Sequence, residues 1–180
     1  MRGAEAVLSE TEIIGKKGLV KTRIEKKYRL REIDGKLRRE RTRSEARLLH
    51  KAKLAGIRCP TVLQVKDFEI VISFIDGNRP GMDESECREA GEILAKLHEA
   101  DIIHGDYTPA NLITDGNLSA IDFGLGFISK DIEDKAVDVF TMVRAVEGKE
   151  AFLDGYRSYS KSDSVVKRLK KVEQRVRYAF

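Results

Sequence analysis

Residues 104–124 read His104-Gly105-Asp106-Tyr107-Thr108-Pro109-Ala110-Asn111-Leu112-Ile113-Thr114-Asp115-Gly116-Asn117-Leu118-Ser119-Ala120-Ile121-Asp122-Phe123-Gly124. Two loops joined by a short hairpin are written there. Asp106 and Asn111 share one tight loop. Asn111–Thr114 and Leu118–Ile121 flank the turn Asp115-Gly116-Asn117, and Asp122-Phe123-Gly124 follows at the hairpin's end. His-Gly-Asp alone reads equally as a helix end, a glycine and an N-cap, and Asp-Phe-Gly alone as a turn. The spacer decides, because it gathers a carboxylate, an amide and a second carboxylate around one hairpin.

Such a set suits phosphoryl transfer, and its order matches the catalytic and metal loops of eukaryotic-type kinases. In that reaction the protein positions groups and neutralises charge, because the transition state needs little covalent help. Asp106 is expected to be the proton acceptor for an attacking hydroxyl or water. Asn111 and Asp122 are expected to hold Mg²⁺ (or Mn²⁺) against the β- and γ-phosphates of ATP.

Upstream, Ala4–Ile14 and Leu19–Ile24 read as strands around a turn at Gly15-Lys16-Lys17-Gly18. Leu19, Lys21 and Arg23 face one way on the second strand, and Lys21 is the candidate contact to the α/β-phosphates of ATP. Residues 36–55 have helical period, with Glu45, Leu48, Leu49 and Ala52 on one face. A carboxylate on an apolar face wants a cation, since burying it unpaired is costly, and Lys21 is the natural partner. Thr42-x-x-Glu45 also has the form of a capping box. The good helix formers from Lys36 to Arg41 place the helix start further upstream, which favours the ion pair.

Beyond Pro60, Val62–Val65 and Glu69–Ile75 read as strands, and residues 76–81 as a break-rich linker. That linker is the expected boundary between an N-lobe, 1–76, and a C-lobe, 77–180, of a single domain, with the adenine pocket beside Phe74 and Ile75. Asp83-x-x-Glu86 caps a helix that turns Cys87, Ala90, Gly91, Leu94 and Leu97 inward. Ala136, Val139, Phe140 and Val143 form a later helical stripe with Asp138 beside it, and Val165, Leu169, Val172 and Val176 mark a last helix. The expected fold is α+β: a miniature two-lobed protein-kinase-like fold, with an antiparallel N-lobe sheet plus a helix and a reduced helical C-lobe.

Composition bounds this reading. The 180 residues, 41% of them hydrophobic, are enough for one good core or two small ones. No apolar run approaches a membrane span, the first residues lack a signal-peptide core, and Cys59 and Cys87 have neither metal spacing nor a disulfide framework. A soluble, cytoplasmic protein with no membrane partner is expected. The net charge of +4 is uneven: residues 1–60 carry 18 Lys/Arg against 8 Asp/Glu, and residues 61–120 carry 4 against 12. An anionic partner is one account, met by Arg38, Arg39, Arg41 and Arg43; a solvated basic face is the other.

Five stretches together resemble a known family: Gly3-Ala4-Glu5-Ala6 in place of a glycine-rich loop, Ile24-Glu25-Lys26-Lys27-Tyr28-Arg29, Arg41-Thr42-Arg43-Ser44-Glu45-Ala46, the loop from His104 to Asn111, and Ile121-Asp122-Phe123-Gly124-Leu125-Gly126. The family is the small atypical kinase/ATPase subunit of the KEOPS complex, of archaeal type and called PRPK in animals. The resemblance implies an atypical serine/threonine protein kinase or ATPase that uses ATP and Mg²⁺. It also implies docking to the KEOPS threonylcarbamoyl-transferase subunit and other KEOPS subunits, and support for threonylcarbamoyladenosine formation on tRNA. Family roles fall on Lys21 (phosphate contact), Glu45 (its partner), Asp106 (base), and Asn111 and Asp122 (metal). The missing glycine-rich loop implies weak or partner-dependent activity. Rival readings are a RIO-type kinase, which usually lacks Phe-Gly after the metal Asp, an aminoglycoside-type phosphotransferase, which needs a larger helical lobe, and a non-catalytic scaffold, which needs none of the five catalytic residue types.

Overall fold

The computed structural model describes residues 6–13 and 15–177. Gly3, Ala4 and Glu5 of the first stretch quoted for the family therefore lie outside the described residues. Strands β1 (Ala6–Ile13), β2 (Lys16–Arg23), β3 (Val62–Val65) and β4 (Glu69–Ser73) form an antiparallel sheet in the order β1-β2-β4-β3. Its interior strand β2 sets Lys21 between Leu8 of β1 and Ile70 of β4. β2 begins at Lys16, ahead of the start that alternation indicates, because Ile13 pairs directly with Lys16 and the bend is tighter, with Gly15 at φ +69°. β4 ends at Ser73, short of the expected Ile75, although the Phe74 N–H still donates to the Lys17 carbonyl at 3.1 Å.

Helix α1 (Arg31–Leu54) packs on this sheet and starts earlier than its periodicity indicates. Thr42 is consequently in mid-helix, where its hydroxyl donates to the Arg38 carbonyl at 2.9 Å, so no capping box forms. Thr42, Glu45, Leu48, Leu49 and Ala52 are buried along one stripe, at the spacing that a 3.6-residue period requires.

The remainder is helical. Asp83 caps α2 (Glu84–Glu99) by accepting the Glu86 N–H at 2.8 Å, while the Glu86 carboxylate accepts the Met82 N–H at 2.6 Å. Two small antiparallel pairs follow: β5 (Ile102–Ile103) with β8 (Phe127–Ile128), and β6 (Leu112–Thr114) with β7 (Leu118–Ala120). Three helices complete the chain: α3 (Ile132–Val143), α4 (Lys149–Tyr156) and α5 (Ser162–Arg177). The sequence pattern does not announce α4, whose 8 residues are too few to display a period. The core is built around α2, where Leu94 and Leu97 are fully enclosed. Among the described residues no helix is long and apolar enough to cross a membrane.

α2 crosses α4 at two glycines. A Cβ on Gly91 would lie 2.0 Å from the Phe152 carbonyl oxygen, and one on Gly155 would lie 2.0 Å from that of Arg88. Backbone meets backbone there, and neither side can yield without moving a helix. Gly91→Ala is therefore expected to destabilise the chain by about 1–3 kcal/mol, as overpacking does. Gly35→Ala on α1, whose nearest neighbour atom lies at 3.9 Å, is expected to stabilise by about 0.5–1 kcal/mol. Urea unfolding of both variants checks this, and equal effects would contradict the close crossing.

Candidate active site

Lys21 projects from β2 into a chain of alternating charges. Its Nζ lies 2.7 Å from Glu45 Oε1 and 2.7 Å from Asp122 Oδ1. The other oxygen of Glu45 accepts from Arg23 Nη2 at 2.5 Å. Glu45 is 2% exposed and Arg23 5% exposed, so water does little to screen them. The pair expected from sequence is present, but Arg23 is a second partner that the sequence reading does not assign. Strand alternation does put Arg23 on the face of Lys21.

The Asp122 loop is held from beneath. Asp122 has φ +59°, a left-handed conformation that Asp tolerates better than most residues. Its Oδ1 also accepts the Gly124 N–H at 3.1 Å. Partial withdrawal from water pushes the Asp122 carboxyl up, but the Lys21 ammonium and the Gly124 N–H outweigh this and hold it below the usual carboxylate range. His104 Nε2–H donates to the Ile121 carbonyl at 3.1 Å, which leaves Nδ1 as the bare nitrogen, buried without a partner. The imidazole packs against Tyr107 and Phe123, with centroids 5.3 Å and 4.8 Å away. Phe123 thus ties one loop to the other.

Asp138, which the sequence shows only as a neighbour of the α3 stripe, is the anchor of the His-Gly-Asp turn. Its buried carboxylate accepts the His104 N–H at 2.6 Å and the Gly105 N–H at 2.8 Å. Gly105 sits at φ +82°, and a Cβ there would lie 2.4 Å from the Leu125 carbonyl oxygen. The rule applied to Glu45, that a carboxylate on an apolar face needs partners, would single out Asp138 as well. Two of its partners are backbone amides, which no side-chain pattern advertises, and the third is the buried His98, whose Nε2 lies 3.4 Å from Oδ2.

A cleft of about 200 Å³ opens between these parts. Lys21, Glu45, Asn111 and Asp122 line it, together with Phe74 and Ile75. Asp106 is not on its wall, but Asn111 Nδ2 donates to the Asp106 carbonyl at 2.8 Å and to its Oδ2 at 2.9 Å. Arg79 of the linker also lines the cleft and is absent from the sequence-based set, because a break-rich segment carries no pattern from which to place it. Arg38, one of the four arginines offered to an anionic partner, is turned instead to the buried Asp34, 2.6 Å from its Nε, and lies over the Phe68 ring at 4.1 Å.

A family model for the RIO domain matches residues 16–142. The "Probable serine/threonine-protein kinase BUD32 homolog" of Archaeoglobus fulgidus is 39% identical over 89% of this chain and 88% of its own length. The "KEOPS complex subunit Bud32" of Pyrococcus abyssi is 40% identical over 90% of this chain and 84% of its own length. The chain belongs to the Bud32 family. Another relative, the "Probable bifunctional tRNA threonylcarbamoyladenosine biosynthesis protein" of Methanosarcina mazei, is 39% identical over 98% of this chain, which spans only 35% of that relative's length. In fold the chain is similar to the Rio2 kinase of Chaetomium thermophilum, at a TM-score of 0.69 and 15% identity, covering 99% of this chain and 72% of that one. A complex of that kinase with ADP, Mg²⁺ and phosphoaspartate gives a TM-score of 0.70 at 14% identity, covering 100% of this chain and 70% of that one. The α+β kinase-like fold is the one expected.

His98 and His104 carry a prediction of their own. Burial pushes both imidazoles below their ordinary value of 6.5, against the opposing pull of Asp138. The unfolded chain takes up these protons as pH falls below that value, and the folded chain resists. Their contribution to stability is therefore full above about pH 6.5 and is lost on acidification. The urea midpoint is expected to fall between about pH 7.5 and about pH 5.5, and a flat or rising midpoint would contradict the neutral assignment.

Proposed function

We propose that this chain is an ATP- and Mg²⁺-dependent atypical serine/threonine protein kinase or ATPase, working as a KEOPS subunit in threonylcarbamoyladenosine modification of tRNA. The observation that carries the proposal is that Lys21, Glu45, Asn111 and Asp122 converge on one cleft, with Asp106 bonded to its edge. In this reading residues 1–76 and 77–180 are the two lobes of one domain, and adenine lies against Phe74 and Ile75. The names of the Archaeoglobus, Pyrococcus and Methanosarcina relatives support the assignment to kinase chemistry, to KEOPS and to tRNA.

The donor set suits Mg²⁺. Asp122 offers a carboxylate, and Asn111, with its amide nitrogen turned to Asp106, leaves its carbonyl oxygen as donor. Among the described residues no group of three His, Cys, Asp or Glu could cage an ion, which fits a cation that takes phosphate and water for its remaining ligands. When bound, it supplies neutralisation of charge on the β- and γ-phosphates. Lys21 turns its ammonium to the phosphates, and Glu45 keeps that side chain extended. Asp106 accepts the proton as a side-chain hydroxyl or water oxygen bonds to the γ-phosphorus. The bond to the β–γ bridging oxygen breaks, and ADP leaves with that electron pair.

A KEOPS transferase subunit is the proposed protein partner and tRNA the proposed nucleic acid, met in the cytoplasm. The bifunctional name of a relative nearly three times as long supports the first. The basic bias of residues 1–60 supports the second, with Arg43 on α1 more exposed than Arg38.

Two experiments test the reading. Asp122→Ala is expected to abolish Mg²⁺-dependent ATP turnover while the melting curve stays cooperative, whereas Asp106→Asn should lower kcat by ~10²–10⁴-fold with nucleotide binding retained. Parent-like turnover in Asp122→Ala would refute the metal assignment. Binding of tRNA, alone or with the transferase partner, should weaken steeply with salt and depend little on sequence. No binding at low salt in either setting would remove tRNA from the proposal.

A further inference from the structure

Arg23 is a buried cation that the mechanism above does not use. We propose that Arg23 is a positioning residue that acts on Lys21 through Glu45, holding α1 in its working place before any nucleotide arrives. The inference rests on the reading of the cleft as an ATP site.

The two oxygens of Glu45 are divided between two cations, Oε1 to Lys21 at 2.7 Å and Oε2 to Arg23 at 2.5 Å. Lys21 is itself shared with Asp122 at 2.7 Å. Were Lys21 the sole partner of Glu45, drawing its ammonium toward a phosphate would strip a buried carboxylate of its counter-charge, which is strongly unfavourable. Arg23 removes that conflict. Its planar guanidinium gives the carboxylate a fixed set of donors, and it leaves β2 on the same face as Lys21, two residues along the pleat. Glu45, and with it α1, is held to β2 whether Lys21 faces Asp122 or a phosphate.

Arg23 also backs the metal loop. A Cβ built on Gly124 would lie 3.3 Å from Lys21 Nζ and 3.4 Å from Arg23 Nη2, so both partners of Glu45 stand behind that turn. Lys21, Glu45 and Asp122 line the cleft, and Arg23 is not among the residues that do. It therefore reaches the nucleotide only through its neighbours.

The test compares the parent chain with Arg23→Gln, Arg23→Lys, Glu45→Gln and the Arg23→Gln/Glu45→Gln double variant. Mg·ATP binding, ATP turnover and amide exchange over residues 41–49 are read below the melting temperature of every variant. Arg23→Gln should lower kcat/KM for Mg·ATP on the order of 10²-fold, the scale of a misplaced catalytic group. Its α1 amides should exchange faster than the parent's without nucleotide and regain protection with it. Arg23→Lys should recover most of both effects, and the double variant should be no worse than Glu45→Gln. If Arg23→Gln does not fold, the same non-additivity is read from Arg23→Met, which keeps the apolar stem without the charge, combined with Glu45→Gln. Parent-like kinetics and exchange in Arg23→Gln would overturn the proposal, as would losses that add to those of Glu45→Gln. A parent chain that neither binds nor turns over Mg·ATP would overturn the ATP reading instead, and nucleotide-free exchange in Arg23→Gln would still judge Arg23.

Discussion

A carboxylate as enclosed as that of Glu45 is costly to bury without cations to face it, and the rest of the cleft is arranged around that demand. Lys21 and Arg23 both come from β2, while Glu45 comes from α1. Satisfying the carboxylate therefore joins the sheet to its helix. Because Lys21 also reaches Asp122, the same charges join the sheet to the loop that follows β7. Four side chains, two of each sign, connect three parts of the chain that are far apart in sequence.

The loops opposite are held by a different device, hydrogen bonds from the backbone to buried side chains. Asp138 on α3 takes the amides of His104 and Gly105, and His104 in turn donates to the Ile121 carbonyl. Tyr107 extends the support by donating to the Ala90 carbonyl of α2 at 2.9 Å. Asp106, Asn111 and Asp122 thus stand at the ends of short, anchored segments rather than on free loops. Catalytic geometry of this kind is useful only if the supporting groups leave little room for misplacement.

Much of this arrangement is legible in the amino-acid sequence. Alternation exposes β2 and its lysine, the 3.6-residue period exposes the buried face of α1, and a carboxylate on that face demands its cation. The hairpin between Asn111 and Asp122 and the Asp83 cap follow from turn and capping chemistry. What escapes depends on tertiary contact. Arg23 shares the face of Lys21, but nothing local says that one carboxylate takes two partners. Asp138 serves backbone amides that no residue type reveals, and Arg79 reaches the cleft from a segment without period. The limits of β2 and β4 differ from the pattern because pairing with neighbouring strands, not alternation, sets where a strand stops.

The central claim is that these residues form one nucleotide and metal site. A crystal structure of the chain with Mn²⁺ and a non-hydrolysable ATP analogue tests it most directly, since manganese is located by its anomalous scattering. The account predicts a single strong peak bonded to Asn111 and Asp122 and to the β- and γ-phosphates, with Lys21 turned to the phosphates and Glu45 still bonded to Arg23. Nucleotide bound elsewhere, or a peak that leaves Asn111 and Asp122 without metal, would contradict it.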